Sequence, residues 1–289
     1  MKKILLLGSN GQLGSDIFKV LSNSYNITPK THRELDITNH SNVYTELNHM
    51  KPDIVINTAA YHKVDEIEDN PQKAFLVNSI AQKNLATVCE KIGSTIVFLS
   101  TDYIFGLESN RKNPYKENDI PGPVNIYGVS KVSGEMLTRT YSSKYFIIRT
   151  CGLYGINNSK EKGLNFIERM IQLSKTKKII EVVSDQILSP TYTKNFATNL
   201  SLLLKTQKYG TYHMVSEESC SWWEFANEIF KYLNIKVKCK KVNSDFFKNK
   251  AKRPNYSVLE NYHLNKLKIN HMKNWKNNLT DYLLEKKYL

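Results

Sequence analysis

An apolar run that turns at once into glycines constrains this chain most. Lys3–Leu7 carries Ile4, Leu5, Leu6 and Leu7 without a polar break, as in a strand buried on both faces of a parallel sheet. Gly8-Ser9-Asn10-Gly11-Gln12-Leu13-Gly14 follows, and Asp16–Ser22 shows helical spacing through Ile17, Phe18, Val20 and Leu21. Glycines allow a tight turn and close backbone approach, and the N-terminus of a helix attracts phosphate oxygens. Glycine spacing alone is common; between an apolar strand and a helix it reads as a dinucleotide fingerprint. Gly8, Asn10, Gly11, Gln12, Leu13 and Gly14 are therefore expected to touch such a cofactor. Met1-Lys2-Lys3 before the apolar run mimics a secretory leader, but the run is too short and polar Ser9-Asn10-Gly11 ends it.

Tyr25–Thr31 reads as a second strand. NAD-preferring folds often end this strand with a carboxylate for the ribose hydroxyls. Here Lys30-Thr31-His32-Arg33 offers basic and hydroxyl groups that suit a 2′-phosphate. NADPH is therefore favoured, with Arg33 as its contact; NADH stays open because Glu34 and Asp36 lie close by. A helix over Asn39–Met50 precedes a buried strand, Asp53–Asn57, which ends in Thr58-Ala59-Ala60-Tyr61. Small residues there let a flat cofactor lie on the backbone, so Ala59, Ala60 and Tyr61 join the cofactor set. A helix from about Pro71 to Lys91 carries Asn78, also placed in that set. The strand Thr95–Leu99 leads to Ser100-Thr101-Asp102-Tyr103 at the same sheet edge, and Glu108–Pro123 reads as a surface loop.

With a strand at Tyr145–Arg149, strand and helix alternate about six times in the first 150 residues, which predicts an α/β fold with a doubly wound parallel sheet. Later elements are a helix at Asn165–Ser174, strands at Ile179–Val183 and Gly210–Val215, and a helix at Lys194–Leu204. Ser221–Leu233 reads as a capped helix, with Ser221 as N-cap and Glu224 at its third position. The expected division is a Rossmann-type dinucleotide-binding domain over 1–150, with returning elements at about 176–215. A smaller, irregular C-terminal substrate-binding domain would take about 151–175 and 216–289.

No apolar run approaches the ~20 residues that span a bilayer, so a cytoplasmic protein without membrane contact is expected. Cys89, Cys151, Cys220 and Cys239 are scattered, which argues against zinc and against a disulfide framework. Cys151 is read as a structural thiol unless a base lies beside it. Residues 231–289 hold 15 Lys/Arg against 4 Asp/Glu, or +11 of the net +14. Such a field attracts polyanions, but the tail carries no nucleic-acid motif, and a lysine- and asparagine-rich solvated surface accounts for it.

Within Asn125–Glu135, Tyr127 and Lys131 stand four residues apart, stacked on one face if both lie in a helix. An ammonium beside a phenol lowers the phenol's pKa, and such a tyrosine can exchange a proton at an alcohol or ketone. The same spacing arises on ordinary solvated helices, and the chain has 17 Tyr.

These motifs, in this order, resemble the extended short-chain dehydrogenase/reductases and, more narrowly, the dTDP-4-dehydrorhamnose reductases. Carrying the resemblance are Gly8–Gly14, Leu35-Asp36-Ile37-Thr38, Asn57–Tyr61 with Val64-Asp65, and Ser100-Thr101-Asp102-Tyr103-Ile104-Phe105. It continues through Tyr127-Gly128-x-Ser130-Lys131-x-x-Gly134-Glu135, Asp185-Gln186, Ser189-Pro190-Thr191 and Gly210-x-Tyr212-His213. Ser221-Trp222-x-x-Phe225-Ala226 and Arg253-Pro254-x-x-Ser257-x-Leu259 complete it. The resemblance implies that NADPH delivers hydride to the C4 ketone of a nucleotide-linked 6-deoxyhexose. Tyr127 would donate the proton, Lys131 would tune it and hold the nicotinamide ribose, and Thr101 would hydrogen-bond the carbonyl oxygen. Asp36 and Ile37 would join the cofactor contacts, while Asp102, Tyr103 and Gly152 would border the sugar and Arg253 would take the diphosphate.

The sequence departs from the pattern at Gly152, where many of these reductases carry an aromatic residue, and at Phe105-Gly106-Leu107-Glu108, where an Asp-Gly turn is frequent. Some relatives hold magnesium through acidic residues at a dimer contact; Lys194 stands here near Pro190-Thr191 where a carboxylate would be expected, so no metal is expected. A homodimer is compatible with the resemblance. The alternatives are a reductase or epimerase for another nucleotide sugar, and a non-catalytic NADP-binding regulatory subunit of the same fold. An intact Thr101, Tyr127 and Lys131 set favours catalysis.

Overall fold

The computed structural model of the chain describes residues 1–157 and 163–289. Its first half runs β1 (Lys3–Leu7), α1 (Gln12–Leu21), β2 (Asn26–Lys30), α2 (His40–Met50), β3 (Ile54–Asn57) and a short α3 (Val64–Asp69). The helix expected over Pro71–Lys91 is built in pieces: α4 (Pro71–Phe75), a π-helical turn over Leu76–Ile80, and α5 (Ala81–Ile92). β4 (Thr95–Thr101), α6 (Ile126–Tyr141) and β5 (Tyr145–Thr150) follow. The second half holds β6 (Leu153–Tyr154), α7 (Phe166–Ser174), β7 (Ile179–Val183), β8 (Ile187–Leu188), β9 (Thr191–Tyr192) and α8 (Thr193–Thr206). Then come β10 (Gly210–His213), β11 (Cys220–Ser221), α9 (Trp222–Tyr232), β12 (Lys238–Val242), α10 (Tyr262–Lys266) and α11 (Trp275–Glu285).

The main sheet is parallel throughout, in the order β10-β5-β4-β3-β1-β2. Five of its strands come from the first 150 residues, as expected, and the sixth returns as β10. Pro29 lies in β2 opposite Leu6; lacking an N–H, proline is tolerated on an edge strand, where β2 sits. The unbroken apolar run of β1 follows from burial on both faces. Ile4 and Leu6 pack with Ile17, Leu21, Phe196 and Leu200 from α1 and α8. Leu5 and Leu7 pack with Val43, Leu47 and Leu85 from α2 and α5. Leaving β1, the chain goes first to β2 on one side and then to β3 on the other. That reversal opens a crevice at the strands' C-terminal ends, where such sheets bind ligands.

A second core gathers α7, α9, α11 and the β7–β12 pair around Ile167, Ile180, Val182, Phe225, Ile229, Trp275, Leu279 and Tyr282. This differs from the expected division. β7 pairs with β12 and packs with the C-terminal elements, not with the main sheet. Conversely, Leu264 of α10 enters the sheet's own core. The C-terminal region is also less irregular than expected: Trp275, Leu279, Tyr282 and Leu283 form a helical i, i+4, i+7, i+8 stripe. The expected capping box is present, with Ser221 accepting from the Glu224 N–H and the Glu224 carboxylate accepting from the Ser221 N–H. Among the described residues no helix is long and apolar enough to cross a membrane.

Two glycines bring α6 unusually close to its neighbours. A Cβ at Gly134 would lie 2.3 Å from the Asn78 carbonyl oxygen and 2.7 Å from the Phe98 ring. Gly134→Ala is expected to destabilise the protein by about 1–3 kcal/mol through overpacking, read as a lower midpoint in urea unfolding. An unchanged midpoint would show that α6 can be seated without this contact.

Candidate functional site

A cavity of about 420 Å³ opens at the C-terminal edge of the sheet, facing the second core. The sheet side contributes Gly11–Gly14, Thr58, Ala60, Ser100–Tyr103, Tyr127, Lys131 and Thr150–Gly152. The opposite wall includes Phe166, Leu188, Trp222, Phe225, Pro254 and Ser257.

The glycine turn is built by close approach. Gly8 has φ +73°, and a Cβ there would lie 2.7 Å from Thr58 Oγ1; a Cβ at Gly14 would lie 2.3 Å from the Gly8 carbonyl oxygen. α1 starts at Gly11 without a side-chain cap, so its first-turn N–H groups are not taken by a side chain, the arrangement that suits a phosphate. Asn10 is exposed and off the cavity wall. The Ser9 N–H donates to the Lys30 carbonyl (3.1 Å), tying this turn to the one after β2. There Arg33 is exposed, while both nearby acids serve their own turns. Glu34 accepts from the Thr31 N–H and hydroxyl, both 2.7 Å, and Asp36 accepts from the Thr38 N–H and hydroxyl at 2.9 and 2.8 Å.

Several expected cofactor contacts lie behind the wall instead of on it. Ile37 is buried in the core beneath β1. The Ala59 N–H donates to Asn57 (3.0 Å), and the Tyr61 hydroxyl donates to Glu66 (2.8 Å). Asn78, on the π-helical turn, accepts from the Tyr61 N–H (3.0 Å) and donates to the Tyr61 carbonyl (2.9 Å) and Ser130 Oγ (3.0 Å). It fastens α6 to the loop after β3. Its signal in the sequence was a helix, which hides this role.

Thr101, Tyr127 and Lys131 meet on the cavity wall. Thr101 ends β4, and Asn125 caps α6 by accepting from the Gly128 N–H (2.8 Å), which sets Tyr127 in the first turn. A Cβ at Gly128 would lie 2.1 Å from the Tyr103 carbonyl oxygen, so α6 rests directly on the Thr101–Tyr103 turn. The Tyr103 and Tyr127 rings meet edge-on, 6.1 Å apart. The expected lowering of the Tyr127 phenol by Lys131 is not found. Burial pushes the phenol up, a hydrogen bond with Thr101 opposes this, and the Asp102 charge adds to it. Lys131 lies 4.0 Å over the Phe98 ring, and burial pulls it down to about 7 against the attraction of Glu135. Lys131 is not among the groups that lower the Tyr127 phenol.

Asp102 is 3% exposed on the cavity floor, held by Ser257 Oγ at 2.6 Å and Thr101 Oγ1 at 3.0 Å. Burial pushes it up to about 7 despite those hydrogen bonds. Gly152 is on the wall with φ +53°, and a Cβ there would crowd Leu188 Cδ1 (2.9 Å) and Pro190 Cα (3.1 Å). The glycine answers backbone geometry as well as the ligand side. Arg253 is not on the wall: its guanidinium forks onto Asp65 at 2.6 and 3.3 Å. Cys151 donates to the Ser189 carbonyl (3.0 Å), and burial holds its thiol well above the ordinary range. Lys194 pairs with Glu285 at 2.6 Å, and among the described residues no His/Cys/Asp/Glu group could hold a metal ion.

Sequence reasoning gave no role to Ser257, to the aromatic wall, or to Glu135. Phe166 and Trp222 face each other there with centroids 4.6 Å apart. Glu135, one turn beyond Lys131, takes a fork from Arg149 of β5 at 3.0 and 2.8 Å, both side chains buried. Their sequence signal was only a place within motifs whose roles spacing does not reveal.

A protein-family profile described as RmlD substrate binding domain matches residues 1–288. The spore coat polysaccharide biosynthesis protein SpsK of Bacillus subtilis is 37% identical over 287 residues, covering 99% of this chain and 98% of that protein. A dTDP-4-dehydrorhamnose reductase of Aggregatibacter actinomycetemcomitans is 36% identical over 90% of this chain and 91% of its own. The crystal structure of dTDP-4-dehydrorhamnose reductase from Bacillus anthracis in complex with NADP matches with a TM-score of 0.93 at 38% identity, over 98% of this chain and 99% of that one. With the profile spanning nearly every residue and these relatives matching end to end, the chain belongs to the RmlD substrate binding domain family, that of the dTDP-4-dehydrorhamnose reductases.

Proposed function

We propose that this chain uses NADPH to reduce the C4 ketone of a nucleotide-linked 6-deoxyhexose, with dTDP-4-dehydro-L-rhamnose as substrate and dTDP-L-rhamnose as product. One observation carries the reading: Thr101, Tyr127 and Lys131 line the same cavity as the glycine turn of the sheet's crevice. Two relatives named for this reductase, one of them solved with NADP, support the substrate class and the cofactor.

The residues present fit such a cofactor. The uncapped start of α1 and the crowding at Gly8 and Gly14 make a backbone cradle that a side chain would fill. Gly11–Gly14 would hold the pyrophosphate, and Arg33 the 2′-phosphate. When bound, NADPH supplies the hydride. Tyr127 supplies the proton, and its raised pKa keeps the phenol protonated at neutral pH, as reduction requires. Thr101 offers a hydrogen bond to the oxygen on which charge develops. Lys131 would hold the nicotinamide ribose, with Glu135 drawing its charge state upward. Phe166, Trp222 and Phe225 present apolar faces to the nucleotide sugar and exclude water from the reacting carbon.

The test is NADPH oxidation with dTDP-4-dehydro-6-deoxy-L-mannose. Tyr127→Phe is expected to lower kcat by about 10²–10⁴-fold while cofactor affinity stays unchanged. No turnover by the wild type, despite tight cofactor binding, would sink the reductase reading; full rate in Tyr127→Phe would remove the proton donor. Arg33→Ala is expected to raise the KM for NADPH about tenfold, in line with one charged hydrogen bond, and to leave the KM for NADH nearly unchanged. An equal rise with both cofactors would take Arg33 away from the 2′-phosphate.

A further inference from the structure

The hydroxyl of Thr101 has one hydrogen, and Asp102 and a substrate oxygen in the cavity would both call on it. A threonine hydroxyl has one hydrogen to donate and two lone pairs that accept. Thr101 donates that hydrogen to Asp102 Oδ1 (3.0 Å) and accepts from the Tyr103 N–H (3.2 Å). With that hydrogen committed to Asp102, only a lone pair of Thr101 is left on the side of Tyr127, the phenol with which it also interacts. Ser257 Oγ donates to the other Asp102 oxygen at 2.6 Å. An ionised carboxylate only accepts, so ionised Asp102 takes the one hydrogen Thr101 has. A substrate carbonyl oxygen beside Tyr127 would then meet a lone pair, not a donor.

We propose that Asp102 sets the direction of the Thr101 hydroxyl, and that Thr101 donates to the reacting oxygen only while Asp102 carries a proton. A protonated Asp102 donates from Oδ1 to Thr101 and still accepts from Ser257 at Oδ2. The two lone pairs of Thr101 are then filled by Tyr103 and Asp102, and its hydrogen turns toward the cavity. No bond is made or broken between heavy atoms; one proton on Asp102 reverses one hydroxyl. Asp102 is thus a positioning residue for the reaction proposed above, and the inference rests on that reading.

The surroundings favour this role. Asp102 is buried, and no cation pairs with it among the described residues. The titratable groups that face it are Tyr103 on its own turn, Tyr127 on α6 and Cys151 after β5. Burial holds all three in their neutral forms. The balance lies near neutrality, because burial pushes Asp102 up to about 7.

The experiment is the pH dependence of kcat from about pH 6 to about pH 9, in wild type, Asp102→Asn and Ser257→Ala. Wild-type kcat is expected to be flat on the acid side and to fall about tenfold per pH unit above the Asp102 titration. In Asp102→Asn the amide Nδ2 always donates to Thr101 while Oδ1 accepts from Ser257. That variant should lose the alkaline fall, its kcat staying level across the range at whatever acid-side rate it keeps. Ser257→Ala removes a donor from the carboxylate and should move the fall to higher pH. A flat wild-type profile, or an Asp102→Asn curve lowered in parallel with the wild type's, would overturn the proposal. So would an infrared difference between wild type and Asp102→Asn, without substrate, that shows no carboxylic-acid carbonyl band at about pH 6. Absence of turnover in the wild type overturns the reductase reading instead, so the two failures are distinct.

Discussion

The seating of α6 against the end of β4 is the contact on which the rest of the site depends. Backbone meets backbone there: Gly128 approaches the Tyr103 carbonyl and Gly134 approaches the Asn78 carbonyl, at distances that leave no room for a Cβ. Apolar packing cannot fix a helix's rotation this finely, because a core tolerates repacking at modest cost. Directional bonds do the fixing. The Asn125 cap sets where the helix starts, Asn78 clamps Ser130, and the buried Arg149 fork on Glu135 ties the second half of the helix to β5. Tyr127 and Lys131 inherit their places from these three attachments.

The same closeness drains the site of charge. Burial pulls Lys131 down and pushes Asp102 up, each to about 7, so both sit near the point of losing their usual charge. Arg149 and Glu135 are equally deep, and two aligned hydrogen bonds between their side chains compensate desolvation where a single contact would not. The distinction separates scaffold from chemistry. A paired ion holds position, whereas an unpaired buried ionisable group responds to its surroundings, which is what proton transfer and charge stabilisation require.

The sequence made the sheet and the glycine turn legible because both follow from local rules. β1 reads as buried because burial on two faces demands an unbroken apolar run, and the turn reads as a cradle because only glycine fits it. The Tyr127–Lys131 spacing and the Ser221–Glu224 box were visible for the same reason, as helical geometry over a few residues. Long-range partners were not. Asn78 looked like one more helix residue, and only the π-helical turn aims it at Tyr61 and Ser130. The β7–β12 pairing joins residues 55 or more apart and so escaped a reading based on neighbouring elements. The electrostatic expectation for Tyr127 fails because burial, which a spacing cannot report, raises the phenol, and Lys131 is not among the groups that oppose it.

The cavity wall that carries Pro254 and Ser257 shows how the C-terminal segment reaches the site. The resemblance assigns Arg253 to a diphosphate, since a guanidinium pairs phosphate oxygens in a fork, yet its fork goes to Asp65, at the start of α3. The Ala251 N–H donates to the same carboxylate (3.0 Å), and Asn125, the cap of α6, donates to the Lys252 carbonyl (2.8 Å). Residues 251–253 are thereby fastened to both α3 and α6. That fastening carries Pro254 and Ser257 onto the cavity wall and lets Ser257 reach Asp102. A ligand that drew Arg253 from Asp65 would loosen the segment whose hydroxyl holds the Asp102 carboxylate. The Arg253–Asp65 fork and the Ser257–Asp102–Thr101 hydrogen bonds are therefore joined through one short run of chain, residues 253–257.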